Sequence, residues 1–240
     1  MRDALAELGE LRRASIVATN WFRAQQYFRA SPWRATWKVA GGGVLMSQAV
    51  HQVDALIAAA GMPVRVRGRI GDTAHDAAVE DEAIAELEWA NGARGTIVAS
   101  LTEPAGIERF ELVGTRGTVT LADGYDVRVA RHDDVAQLIT EYPDEYPPEG
   151  STVWEPLTVE RSKREWIDMM FDAHREFGRA AAAGAEPAIS ATVGSQCVEL
   201  ANAIYLCACT HAEWVELPLS RGAYPPVFNK LASGRSISSL

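Results

Sequence analysis

The stretch that most constrains this chain runs from Ala40 to Ile57. Gly41, Gly42 and Gly43 lead straight into Val44-Leu45-Met46-Ser47-Gln48-Ala49-Val50-His51-Gln52-Val53-Asp54-Ala55-Leu56-Ile57. Met46, Val50, Val53 and Ile57 recur at helical spacing, widened by Leu45, Ala49 and Leu56. The segment therefore predicts one buried helix over 41–60. Ser47, His51 and Asp54 fall at i, i+4 and i+7, on one face of that helix. A histidine on an apolar helix is most often a satisfied core group. Here the glycines allow close backbone approach and aim a helix N-terminus forward of the polar seam. Ser47, Gln48 and Asp54 offer hydrogen-bond partners within one turn of the ring. His51 so placed can act as a general acid/base on a hydroxyl or carbonyl.

Most of the remainder reads as strands joined by tight turns. Arg13–Phe22, Val64–Ile70, Ala83–Trp89, Arg94–Leu101 and Arg109–Val113 are strand-like, with shorter runs at Thr118–Leu121 and Asp126–Ala130. Asn91-Gly92 and Gly114-Thr115-Arg116-Gly117 are hairpin signals. Direct connections of this kind build an antiparallel sheet rather than βαβ units. Glu82, Glu86 and Glu88 alternate with Ala83, Ala85, Leu87 and Trp89, and Thr96, Val98 and Ser100 with Ile97, Ala99 and Leu101. One sheet face then meets helices, and the other, half apolar, suits a subunit contact.

Further helices are expected at Asp3–Leu8, at Ser162–Ala183 and at Thr192–Cys209, the second burying Trp166, Met169, Met170, Ala173 and Phe177. A strand follows at Trp214–Leu217. Arg23–Ala40 is irregular and crowded with rings and arginines, either a lid over the core or a ligand wall. His132–Pro156 reads as a surface excursion. Residues 1–220 then form one α+β domain, an open, mainly antiparallel sheet with helices on one face, and 221–240 a loose or draped tail.

Composition narrows the partners. A formal net charge of −9 argues against nucleic acid. No apolar run reaches membrane-spanning length and the N-terminus is unlike a signal peptide, so the expectation is a cytoplasmic protein with no membrane partner. Three cysteines suit a reducing compartment. Cys207 and His211 lack further nearby ligands, so no metal site is expected. Arg65, Arg67 and Arg69 line the solvated side of a strand.

Several runs together carry a family resemblance: Trp21-Phe22-Arg23, Gln26-Tyr27-Phe28, Trp33-Arg34-Ala35-Thr36-Trp37, Gly41 to Gln48, and His51-Gln52-Val53-Asp54. Val79-Glu80-Asp81, Trp89 to Ala93, Phe110 to Gly117 and the closing Val215-Glu216-Leu217-Pro218-Leu219 add to it. The chain resembles the C-terminal domain of the Gfo/Idh/MocA family of NAD(P)-dependent oxidoreductases, which act on sugars, inositols and related polyols. The resemblance implies an N-terminal Rossmann domain holding NAD or NADP. It implies that a histidine equivalent to His51 moves the hydroxyl proton, helped by a lysine of a Glu-Lys-Pro motif in the Rossmann half. It also implies that Trp33 and Arg34 lie near the nicotinamide and the substrate, that Arg23, Tyr27, Ser47 and Gln48 line the pocket of a small polyol substrate, and that the free sheet face joins a homo-oligomer.

Two departures stand out. Ser47 occupies a position where the family usually has Asp or Asn, so no carboxylate is available there. No Gly-x-Gly-x-x-Gly follows a strand, and Lys38, Lys163 and Lys230 lie outside any Glu-Lys-Pro context. The expectation is therefore the substrate-binding half of an NAD(P)-dependent oxidoreductase, truncated and inactive alone, its cofactor held mainly by a missing domain or one supplied in trans. The alternative is a non-catalytic oligomerisation or sugar-binding module.

Overall fold

Strands with one small, apolar face assemble into one sheet in the computed structural model, which describes residues 7–123, 126–148, 150–158, 166–234 and 237. The strands are β1 (Leu11–Ala18), β2 (Arg65–Gly71), β3 (Glu82–Glu88), β4 (Arg94–Ser100), β5 (Glu108–Gly114), β6 (Gly117–Ala122), β7 (Asp126–Arg131), β8 (Val153–Pro156) and β9 (Val215–Glu216). Their order is β8-β7-β6-β5-β1-β4-β3-β2-β9. Every pairing is antiparallel except that of β1 with β4. The α+β architecture expected from the sequence is the one observed.

The alternation sorts the two faces as expected. Ala14, Ile16, Ala83, Ala85, Leu87, Ile97 and Ala99 are buried. Against them pack two helices, α4 (Val50–Ala60) through Val53, Leu56 and Ile57, and α7 (Ala191–Thr210) through Leu200, Ala203, Ile204 and Tyr205. Gly61, with φ of 76°, closes α4. The other face is open. Across it run a polar row, Ser15, Thr96, Glu86 and Arg67, and an apolar row, Val17, Val98 and Ile84. Arg65 and Arg67 lie on that face, paired with Glu88 and Glu86 at 2.9 Å.

Several elements differ from expectation. The first strand stops at Ala18 rather than Phe22, because its partners end with it: the last rungs are Ala18 with Ala99 and Ala18 with Glu108. The helix expected over Ser162–Ala183 is α6 (Trp166–Ala183), with residues 162–165 outside the described set. Met169, Met170 and Phe177 of its expected buried side are exposed, because the helix stands clear of the sheet and, among the described side chains, buries only Ala180. The excursion after His132 contains α5 (Val135–Glu141), capped by the Asp134 carboxylate, and edge strand β8. Within the segment expected as a loose or draped tail, Pro225–Ala232 is helix α8. Two prolines start it and Val227 and Leu231 anchor it in the core. The helix expected at Asp3–Leu8 lies outside the described residues except for its last turn, which Gly9 closes with φ of 77°. Among the described residues no helix is long and apolar enough to cross a membrane.

Candidate functional site

The expected helix over 41–60 is two helices. Helix α1 (Gln25–Arg29) and a 3₁₀ turn (Pro32–Ala35) lead to α2 (Trp37–Ala40), and α3 (Val44–Ser47) precedes α4. Gln48 leaves helical geometry with φ of −126° and ψ of −59°. The Val44 carbonyl there accepts from both Gln48 N, at 3.1 Å, and Ala49 N, at 2.8 Å. The second bond spans five residues, a wide turn of the kind that interrupts helices at sites needing a redirected side chain. Its cause is local: Gln48 is pulled sideways. Its amide oxygen accepts from Arg23 Nη2 at 2.8 Å and its Nε2 donates to the Tyr27 hydroxyl at 2.9 Å.

The helix start expected to face a ligand is already filled. Glu80 is fully buried, and its carboxylate accepts from Gly43 N at 2.6 Å, Leu45 N at 3.1 Å and the Tyr205 hydroxyl at 2.7 Å. The Glu80 carbonyl accepts from Val44 N. A Cβ on Gly43 would strike that carbonyl, and one on Gly42 the Tyr205 hydroxyl. The glycines thus admit protein, not ligand. Burial pushes the Glu80 carboxyl up to about 7, against the pull of its donors.

The remaining expected residues converge on the Tyr27 ring. Arg23 lies 5.1 Å and Arg34 4.7 Å from its centroid, and they reach Trp21 at 5.3 Å and Trp33 at 4.9 Å respectively. Arg23 is held from behind as well. Its N–H donates to Leu101 O, and its carbonyl lies 2.7 Å from His75 Nε2. His75 Nδ1 lies 2.8 Å from the Asp81 carboxylate. That carboxylate also accepts from Thr73 N, Thr73 Oγ1, Ala74 N and His75 N. Although burial raises it, these donors hold the Asp81 carboxyl below its ordinary value. Both ring nitrogens of His75 therefore lie against oxygens, one of the Asp81 carboxylate and one of the Arg23 carbonyl.

His51 is exposed, and no hydrogen bond to its ring forms among the described residues. The partners expected for it are engaged elsewhere: Ser47 Oγ donates to Gly43 O at 2.6 Å, Gln48 binds Arg23 and Tyr27, and Asp54 accepts from the Cys197 thiol at 3.5 Å. The buried polar group of α4 is Gln52, which donates to Glu108 at 2.7 Å. Trp21 and Trp33 are 39% and 51% exposed. The result is an open wall of rings, guanidinium groups and one free imidazole. A cavity of about 500 Å³ lies elsewhere, between β2 and the end of α7, lined by Arg67, Arg69, Cys207 and His211. The open wall is the better candidate, because Arg23, Gln48 and the Tyr27 hydroxyl converge there through hydrogen bonds to one another, beside the helix that carries the exposed His51. Exposed indoles and guanidinium groups suit the flat nicotinamide end of a dinucleotide. The amides at Gly43 and Leu45, spent on Glu80, do not suit its pyrophosphate.

Glu80, Asp81, His75 and Tyr205 were not singled out as site residues. Their signal was an acidic pair, Glu80-Asp81, entering an apolar strand, which no local pattern connects to residues forty positions earlier.

Residues 1–120 match the model of the GFO/IDH/MocA C-terminal domain. No curated protein sequence matches the chain. Among solved structures, the WlbA dehydrogenase from Bordetella pertussis in complex with NADH and UDP-GlcNAcA is 23% identical, with a TM-score of 0.69, over 91% of this chain and 60% of its own. Levoglucosan dehydrogenase in complex with NADH and L-sorbose is 18% identical, with a TM-score of 0.72, over 91% of this chain and 62% of its own. An oxidoreductase from Agrobacterium radiobacter in complex with NAD+, L-tartaric acid and magnesium is 18% identical, with a TM-score of 0.64, over 90% and 60%. At these identities the likeness concerns the fold. The chain spans about 60% of the length of these structures.

Proposed function

The chain belongs to the GFO/IDH/MocA family, and from that premise we propose that it is the substrate-binding half of an NAD(P)-dependent oxidoreductase acting on a sugar, inositol or related polyol. The observation that carries this reading is the convergence of Arg23, Tyr27, Gln48, Trp33 and Arg34 beside the wide turn that launches the His51 helix. NAD or NADP, bound mainly by a domain outside these 240 residues, would supply hydride transfer at the carbinol carbon.

This chain's residues supply the rest. His51, exposed and unclaimed by neighbours, accepts or returns the hydroxyl proton. Arg23, Gln48 and the Tyr27 hydroxyl orient substrate oxygens, because their mutual hydrogen bonds fix them before substrate arrives. Ser47 spends its proton on Gly43 O and so offers a substrate hydroxyl only lone pairs. Trp33 and Arg34 bound the nicotinamide side. A cytoplasmic homo-oligomer formed through the open sheet face completes the reading, since Val17, Val98 and Ile84 form an apolar row there.

The test is turnover of a sugar and inositol panel with NAD+ and NADP+, with the cofactor domain present in the same chain or in trans. His51→Ala is expected to lower kcat at least about a hundredfold while cofactor affinity is retained. A change within about threefold overturns the acid/base role.

A further inference from the structure

Arginines in this chain find carboxylates where the fold supplies them: Arg13 with Glu111, Arg65 with Glu88, Arg67 with Glu86 and Arg131 with Glu7. With a formal net charge of −9, acid is plentiful. Arg23 and Arg34 lie half-buried against one ring, yet neither meets a carboxylate among the described residues. Like charges gathered on one aromatic surface without an acid are a cost that a bound anion would relieve.

Arg23 adds a second observation. Its Nη1 donates to Phe22 O at 3.2 Å and its Nη2 to Gln48 at 2.8 Å, whereas its Nε is buried with no partner among the described residues. A buried, unpaired donor on a cation is rare, because it forfeits a charge-assisted hydrogen bond. Nε and the second proton of Nη2 remain available to the two oxygens of a carboxylate. The group is also pre-positioned, from behind by the Asp81–His75–carbonyl chain and from the side by Gln48. Trp21 covers the guanidinium at 5.3 Å and is 39% exposed, so this half-exposed ring stands on the solvent side of the group.

We propose that Arg23 and Arg34 form an oxyanion subsite, and that the sugar-like substrate carries a carboxylate, as a uronic or aldonic acid does. This rests on reading the Tyr27 cluster as the substrate wall. It narrows the substrate class from neutral polyols to sugar acids.

The 240-residue chain can be titrated with D-glucuronate, D-glucose and inorganic phosphate by calorimetry or by amide NMR. Glucuronate is expected to bind saturably and at least about tenfold more tightly than glucose, as a paired, partly desolvated carboxylate requires. Arg23→Gln and, separately, Arg34→Gln should each reduce that advantage to under about threefold, with Arg23→Lys restoring it only in part. Equal affinity for glucuronate and glucose, or no saturable glucuronate binding at millimolar concentration, overturns the proposal. Phosphate binding as tightly as glucuronate also overturns it, since it assigns the arginines to a cofactor phosphate. The broader reading is tested separately. Glucuronate selectivity alongside a turnover indifferent to His51→Ala leaves the subsite standing and removes the redox role. Turnover of neutral polyols that is insensitive to Arg23→Gln does the reverse.

Discussion

Single side chains of the Tyr27 cluster are held by neighbours that stand behind them. His75 is the clearest case, wedged between the Asp81 carboxylate and the Arg23 carbonyl at 2.8 and 2.7 Å. Asp81→Asn should cost on the order of 1–3 kcal/mol, because five donors lose their anionic acceptor, and a melt measures it. Glycines divide in the same way. Gly43→Ala drives a methyl into the Glu80 carbonyl and should destabilise by at least about 1–3 kcal/mol. Gly178→Ala, in the middle of exposed α6 with nothing near the new methyl, should stabilise by about 0.5–1 kcal/mol. The reverse order in chemical denaturation would refute this account of the glycine triplet.

Among the elements, the pair α3 and α4 depends on a carboxylate contributed by the approach to β3. Burial raises Glu80 from an ordinary 4.5 to about 7, which sets a pH dependence of known sign. Between those values the folded state keeps a proton that the unfolded chain has released. The contribution of Glu80 to stability is then fully present at the acid end and falls as pH rises through about 7, by at most ~1.4 kcal/mol per pH unit. Glu80→Gln cannot titrate. The melting temperature of the natural chain relative to this variant should therefore decline from pH 5 to pH 7.5 and level off above. Parallel profiles would show that Glu80 is ionised throughout. Most strands were legible beforehand, because β2, β3 and β4 alternate cleanly, but edge strand β8 lay inside what reads as a surface excursion. The end of β1 was not, since Trp21 and Phe22 are good strand formers and only the ends of β4 and β5 stop the pairing. The break at Gln48 was equally hidden, because it comes from Arg23 and Tyr27, more than twenty residues away.

For the whole molecule, the open face of the sheet and the filled helix start decide what the chain can do alone. Charge placed in the apolar row, as in Ile84→Arg or Val98→Glu, should convert an oligomer into monomers by light scattering while leaving the fold intact by circular dichroism. An unchanged mass would remove the sheet face as the interface. NADH titrated into these 240 residues should give no saturable fluorescence change, since the amides that could meet a pyrophosphate already serve Glu80. A micromolar dissociation constant would overturn that expectation.

Sequence alone determined the α+β class, the mainly antiparallel sheet, its apolar and polar faces and the family, because periodicity and contiguous motifs are local properties that survive in one dimension. It also singled out Arg23, Tyr27, Trp33, Arg34 and Gln48. Only the tertiary structure decided how they are arranged. It redirected Gln48 away from His51, closed the glycine-led helix start with Glu80, and left the buried Arg23 Nε without a partner among the described residues. It also set α6 apart from the sheet and folded Pro225–Ala232 onto the core. Each of these depends on which groups from distant segments compete for one donor or one patch of surface, and that competition exists only once the chain is folded.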